Sequence, residues 1–318
     1  MMVGVSFDLD DAERLRRELR SFLGVVPPEQ APSIEVTSSS HEDGYVLHRV
    51  RLVTDDDVIP SLLAVPSGIG PFPAVVVFHQ HAGERHFGKS EVFGLVGDPC
   101  QAFGPALARA GLVVLAPDSI AFEDRRPGGP GTDPRDDDFA QHYNALTYRL
   151  VAGDTLMRKV LQDAMAAVSV LLARADVKPE GVVALGHSYG GNTTLFLTAV
   201  DDRIRIGCAS GALGSYQRKM NDGTGIEMAE VIPGFTTRFD MADVLSAIAP
   251  RQFLVVSGTG DRYAADAVDL VDAALAANGG SADDRNLSHL QTTGGHALDA
   301  RRFEAIIDWI VHTASGQK

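Results

Sequence analysis

Residues 182–192, VVALGHSYGGN, form an apolar run of strand length that ends in the pattern G-x-S-x-G and passes straight into helix-like sequence. No other stretch limits the fold as tightly. A chain that leaves a strand and enters a helix within a few residues forces Ser188 into a strained backbone conformation, with its hydroxyl raised above the sheet. Gly186 and Gly190 fit this nucleophile elbow, because a side chain at either position would collide where strand and helix close on each other. The pattern is short, and it gains its weight from the strand before it and the helix after it.

The surrounding sequence supplies a sheet for the elbow to sit on. Residues 34–37, 45–53 and 58–65 are strand-like and separated by turn formers at 42–44 and 55–57, which predicts an antiparallel edge. Strand-like segments then follow at 72–78, 112–115, 204–208, 253–256 and 287–292, with helical segments at 101–110, 154–173, 263–276 and 298–312. Such alternation predicts an α/β fold with a mostly parallel sheet, here put at eight strands, flanked by helices. Residues 1–318 read as a single domain. Residues 8–23 add an N-terminal amphipathic helix that Asp8 can cap and Gly24 can end; its Arg14, Arg16, Arg17 and Arg20, interleaved with Glu13 and Glu18, read as a solvated face. Residues 119–153 and 212–249 break the alternation after the carboxyl ends of strands. Ligands bind at that rim in open α/β sheets, so both read as pocket-forming excursions.

Charge narrows the partners. The 318 residues carry 42 acidic against 28 basic side chains, a formal net charge of −14, which repels phosphate backbones and anionic lipid. The expected partner is a small-molecule substrate, with no nucleic acid and no membrane; a homodimer is left open. Cys100 and Cys208 are the only cysteines and imply no disulfide framework. The first residues lack the basic start and apolar core of a signal peptide, and no apolar run reaches membrane-spanning length, so a cytoplasmic protein is expected.

A serine nucleophile needs a base to take its proton. With an elbow of this kind the acid and then the histidine follow the serine in sequence, which leaves His289, His296 and His312. His289 lies in a strand pattern and His312 in a helix, whereas His296 follows a strand in a glycine-rich loop and can reach back over the sheet. Asp261 ends the run FLVVSGTGD, also just past a strand, and is the expected acid; Asp266 and Asp269 fall on the next helix and read as solvated. The oxyanion donors are expected to be the backbone N–H of Tyr189 and an N–H from the loop after residues 72–78, with His81 favoured and Gln80 second. His79 and His81, with His86 nearby, could suggest a metal pair, but no aspartate ligands stand at a familiar spacing. The reading assigns no metal and no organic cofactor.

With these residues in view, the chain resembles the α/β-hydrolase superfamily, and within it the dienelactone-hydrolase-like and acetyl-xylan-esterase-like branches, over residues 45–315. The features that carry the resemblance are HQHAG at 79–83, APD at 116–118, the elbow GHSYGG at 186–191, DDRI at 201–204 and IAPR at 248–251. Gln80 stands where glycine is usual, and Ser188 where true dienelactone hydrolases have cysteine. The resemblance implies a carboxylic ester hydrolase working through an acyl-enzyme on Ser188. Amide, peptide, thioester or lactone cleavage by the same triad is the alternative, as is a non-hydrolytic tailoring enzyme or binding module. The excursions supply candidate pocket residues: Glu123, Arg126 and Tyr143 from the first, Tyr216 and Met241 from the second. Phe122, Phe139, Met220, Met228 and Phe235 add apolar surface and suggest an enclosed pocket for a small or medium ester.

Overall fold

The computed structural model describes residues 9–279 and 286–316. Its strands are β1 (Ser33–Glu42), β2 (Tyr45–Val53), β3 (Val58–Pro66), β4 (Phe72–Phe78), β5 (Val113–Pro117), β6 (Val177–His187), β7 (Ile204–Ser210), β8 (Gln252–Gly258) and β9 (Leu287–Thr292). The helices are α1 (Leu9–Leu23), α2 (Lys89–Val92), α3 (Phe103–Arg109), α4 (Asp138–Val151), α5 (Leu156–Leu172), α6 (Tyr189–Val200), α7 (Tyr216–Asn221), α8 (Met241–Ser246), α9 (Ala267–Ala277) and α10 (Ala300–Ala314). The strands form one sheet in the order β1-β2-β3-β5-β4-β6-β7-β8-β9. Strands β5 to β9 and β4 run parallel, and β1 to β3 pair antiparallel at one edge.

The sheet has nine strands rather than the expected eight. β1, expected only over 34–37, runs from Ser33 opposite Val53 to Glu42 opposite Tyr45 of β2. Almost every residue of β1 is exposed. Its TSSSHE half lacks the alternation that marks a half-buried strand, so what holds it is the backbone ladder to β2, closed by a turn with Gly44 at φ 85°.

Period-two alternation sorts the strands' side chains into two cores. Val76 and Phe78 of β4 face the layer of α5 and α6, with Leu161 and Leu195, while Val75 and Val77 face α3 and α10, with Leu107, Ile306 and Ile310. Helix α6 is buried along its whole length although it carries three threonines. Thr193, Thr194 and Thr198 each donate a hydroxyl to the carbonyl four residues back, so burial leaves none of them unpaired. Helix α1 docks Leu19 and Leu23 into the same core. Two of its arginines differ from the solvated face expected of them. Arg16 donates to the carbonyls of Ala247 and Ala249 and Arg20 to that of Val200, capping the carboxyl ends of α8 and α6, where cations are favoured. The proposed cap Asp8 lies outside the described residues. Among the described residues no helix is long and apolar enough to cross a membrane.

Candidate active site

β6 runs directly into α6, and Ser188 is the residue between them, with φ 54° and ψ −119°. Glycine permits the tight junction: a Cβ on Gly186 would lie 2.2 Å from the Gly190 carbonyl carbon, and one on Gly190 would lie 2.0 Å from the Phe78 oxygen. The strained serine is held by its own N–H, which donates to the Ser210 carbonyl at 2.8 Å. Its Oγ lies 2.8 Å from His296 Nε2, and His296 Nδ1 lies 3.0 Å from both carboxylate oxygens of Asp261. This pattern assigns the imidazole proton to Nδ1 and leaves Nε2 to accept from the hydroxyl. Asp261 follows β8 and is buried, which by itself would raise its pKa; the bond to His296 and the Tyr263 N–H, 2.9 Å away, outweigh burial and hold the carboxyl below its ordinary value.

The loop that carries His296 is clamped by a residue the sequence did not single out. Arg302 on α10 is buried, donates through Nη1 to the Gly295 carbonyl at 3.0 Å and through Nη2 to that of Ala297, and pairs with Asp299 at 3.0 Å. The i, i+3 spacing of Asp299 and Arg302 was the only available signal. Asp266 differs from the solvated acid expected of it: it accepts from the Ser215 N–H and Oγ and anchors the start of α7.

Gln80 and His81 lie on the wall of one cavity with Ser188, Tyr189 and His296. The close approach of Gly190 to the Phe78 and His79 carbonyls brings their loop against the elbow. The Gln80 side chain donates to Glu91, on the same cavity wall, at 3.1 Å. His79 spends both ring nitrogens internally: Nδ1–H donates to the Gln80 carbonyl at 2.8 Å and Nε2 accepts from the Ser119 N–H at 3.1 Å. Burial pushes its pKa down to about 4.

The cavity holds about 1000 Å³ and receives Phe139 from the first excursion and Met228 from the second. None of the five residues expected to line it does so. Glu123 is consumed by Lys89 and Ser90, which donate to it at 2.5–3.0 Å. Arg126 bonds both oxygens of Asp138 at 2.8 Å and closes its own loop. Tyr143 lies half-exposed outside the cavity. The Tyr216 hydroxyl donates to the Glu230 carbonyl at 2.7 Å, and Met241 is buried in the core. Of the further apolar candidates, Phe122 packs beneath the site against His79 and Tyr189, Phe235 joins the core, and Met220 stays outside the cavity.

The sequence reading also missed His142, Arg85 and Glu227, which meet beside His81 from separate segments. Ligand atoms of His81, His142 and Glu227 lie within 4.8 Å of one another. Both imidazoles accept at Nδ1, His81 from the Gly83 N–H at 3.2 Å and His142 from Arg85 Nε at 3.3 Å. Their Nε2 atoms therefore carry protons, and a guanidinium adjoins them, so a cation would have to displace both bonds. Burial first, and Arg85 second, push both histidines down to about 3.

Burial pushes the Glu227 carboxyl from 4.5 up to about 7. The folded chain keeps this proton at pH values where the unfolded chain has lost it, so folding stability falls as pH rises from about 4.5 to about 7 and then levels off. Glu227→Gln is expected to remove that contribution, so its stability relative to wild type, measured by urea unfolding, should increase across this window. A difference that stays constant with pH would contradict the assignment.

Comparison with known proteins agrees with this architecture. The model of the dienelactone hydrolase family matches residues 59–221, more than half of the chain. The chain belongs to the dienelactone hydrolase family. A candidate hydrolase, YtaP of Bacillus subtilis strain 168, is 28% identical over 274 residues, covering 84% of this chain and 87% of its own. A candidate acetyl xylan esterase from Bacteroides fragilis NCTC 9343 superposes with TM-score 0.72 at 16% identity, covering 94% of this chain and 86% of that one. A glucuronoyl esterase from Solibacter usitatus gives 0.63 at 15% identity, covering 94% and 91%. At such identities the two structures speak for the fold alone. Family membership makes this protein a hydrolase of the dienelactone hydrolase type.

Proposed function

We propose that this dienelactone-hydrolase-family protein is a serine hydrolase that cleaves a small or medium carboxylic ester through an acyl-enzyme on Ser188. The observation that carries the reading is the unbroken chain of hydrogen bonds from Ser188 Oγ through His296 to Asp261. Ser188 Oγ attacks the ester carbonyl carbon as His296 Nε2 takes its proton. Asp261 keeps the imidazole in the required tautomer and stabilises the imidazolium. The developing oxyanion is received by the Tyr189 N–H and by an N–H of the Gln80–His81 loop, and the tetrahedral adduct collapses as His296 returns the proton to the leaving alcohol. Water, activated by the same base, then releases the acid and frees the serine. No metal or organic cofactor enters these steps.

A cavity of about 1000 Å³ is sized for a small or medium molecule, and its mixed lining of Phe139 and Met228 with Glu227 and Arg85 suits an ester with a polar portion. Two free thiols, Cys100 and the buried Cys208, suit a reducing compartment and support a cytoplasmic location.

Incubation with a fluorophosphonate should add one adduct, mapped by mass spectrometry to Ser188, and no adduct would rule out the serine mechanism. Short-chain 4-nitrophenyl esters should be turned over with little cleavage of aminoacyl anilides. A kcat/KM for anilides above that for every ester, acetylated sugar and lactone tested would instead make the protein an amidase on the same triad.

A further inference from the structure

A second histidine stands beside the triad with no part in the steps above. His187 immediately precedes Ser188, is fully buried, and presents its ring to His296 with centroids 5.2 Å apart and planes inclined by 35°. Its Nδ1 is tied to Ser210 Oγ at 3.0 Å, and its buried ring also faces the His296 backbone, which favours the protonated ring. Burial, and after it the charge of His296, push its pKa down to about 3, so the ring is neutral wherever the triad works. An apolar side chain would fill this space without desolvating a polar ring, so a buried imidazole here calls for a reason.

The reason lies in what the ring touches at each end. Ser210 is the residue whose carbonyl holds the strained Ser188 N–H at 2.8 Å, so the same residue braces the nucleophile through its backbone and His187 through its hydroxyl. The next residue, Gly211, has φ 62°, and a Cβ there would lie 2.9 Å from His187 Cε1, 3.2 Å from His296 Cε1 and 3.3 Å from Asp261 Oδ2. The two imidazoles and the carboxylate therefore crowd one glycine. Tyr263 adds a second ring contact to His296, at 4.7 Å and 59°. Asp261 fixes His296 only at Nδ1, about which the ring can still pivot; a neighbouring ring limits that pivot and keeps Nε2 aimed at Ser188.

We propose that His187, tethered by Ser210, is a positioning residue for His296, fixing the swing of the base against the nucleophile. The proposal rests on the serine-hydrolase reading. A misaimed base slows the chemical step and leaves substrate binding alone, and a displacement on the order of an ångström costs about ten- to a hundredfold in rate. His187→Ala should lower kcat on 4-nitrophenyl acetate by about tenfold, with KM within about twofold of wild type. Ser210→Ala, which keeps the ring but cuts its tether, should move kcat in the same direction by less. His187→Phe, which restores a ring face without the tether, should recover most of the loss; this rescue separates positioning from a general loss of packing. The proton shared by His296 Nδ1 and Asp261, followed by proton NMR, should broaden in His187→Ala and sharpen again in His187→Phe.

The proposal is overturned if His187→Ala keeps wild-type kcat, if KM rises with kcat unchanged, or if His187→Phe is as slow as His187→Ala. Should His187→Ala fail to fold, the kcat of Ser210→Ala and His187→Phe carry the same decision. A wild-type protein that takes no fluorophosphonate adduct refutes the serine mechanism, whereas a labelled wild type with an unimpaired His187→Ala refutes only the positioning role.

Discussion

His296→Ala is expected to lower kcat for a 4-nitrophenyl ester by about a thousandfold or more, the usual cost of deleting a member of a serine triad. Ser188 Oγ has His296 Nε2 at 2.8 Å, and without that acceptor the hydroxyl must attack while still protonated. The fold should be unaffected, because the His296 side chain is 27% exposed and its loop is held by Arg302 through the Gly295 and Ala297 carbonyls, bonds that the substitution leaves in place. Ser188→Ala should fall equally far, and the double substitution should add little, since the two residues act as one unit. Asp261→Asn should also be severe, whereas Asp266→Asn, whose carboxylate serves Ser215, should not cripple the chemistry. Near-normal turnover by His296→Ala, or a severe loss in Asp266→Asn with Asp261→Asn intact, would break the assignment.

How much of this could be read from the sequence depended on whether the signal was local. The elbow was legible because strand pattern, glycine spacing and helix pattern all fall within 182–192, and a Cβ on any of those glycines would meet backbone at under 3 Å. Asp261 and His296 were legible as candidates because each directly follows a strand, and strand ends converge on one rim of a parallel sheet. The extent of β1 was not legible: the strand expected at 34–37 runs on to Glu42 through exposed serines.

The pocket was not legible, and its failures share one cause. In an excursion with no period, an aromatic or charged side chain can turn to the cavity or to the core, and partners distant in sequence decide which. Tyr216 turns inward because its hydroxyl finds the Glu230 carbonyl; Phe139 stays at the cavity wall with the Arg85 guanidinium 5.1 Å from its ring centre. Arg85, His142 and Glu227 meet from three segments separated by more than fifty residues each, so no window of sequence contains them. Glu123 and Arg126, expected in the pocket, instead form the ion pairs with Lys89 and Asp138.

That structural chemistry supports the second large effect, on stability. Lys89 is 3% exposed, and its ammonium lies 2.6 Å from Asp118, 2.5 Å from Glu123 and 2.7 Å from Asp124. Burial and the neighbouring Glu123 raise the Asp118 carboxyl above its ordinary value, and the carboxylates in turn raise the Lys89 ammonium. The cluster joins α2 to the end of β5 and to a segment where Ala121 and Glu123 adopt φ of 65° and 38° without being glycine, a strain that persists only where surroundings enforce it. Lys89→Met leaves these carboxylates without their cation and should destabilise the fold by about 3–5 kcal/mol at pH 8. Without the ammonium the buried Asp118 carboxyl holds its proton more tightly folded than unfolded, so the variant's deficit should shrink as pH falls toward 5 and grow as pH rises. Adding Glu123→Gln removes one of the opposed charges and should recover part of the loss at pH 8. Urea unfolding of the two variants against wild type at pH 5 and pH 8 measures both effects. A Lys89→Met deficit below about 1 kcal/mol at pH 8, the scale of a solvated ion pair, or one that does not change with pH would show that the cluster carries no such load.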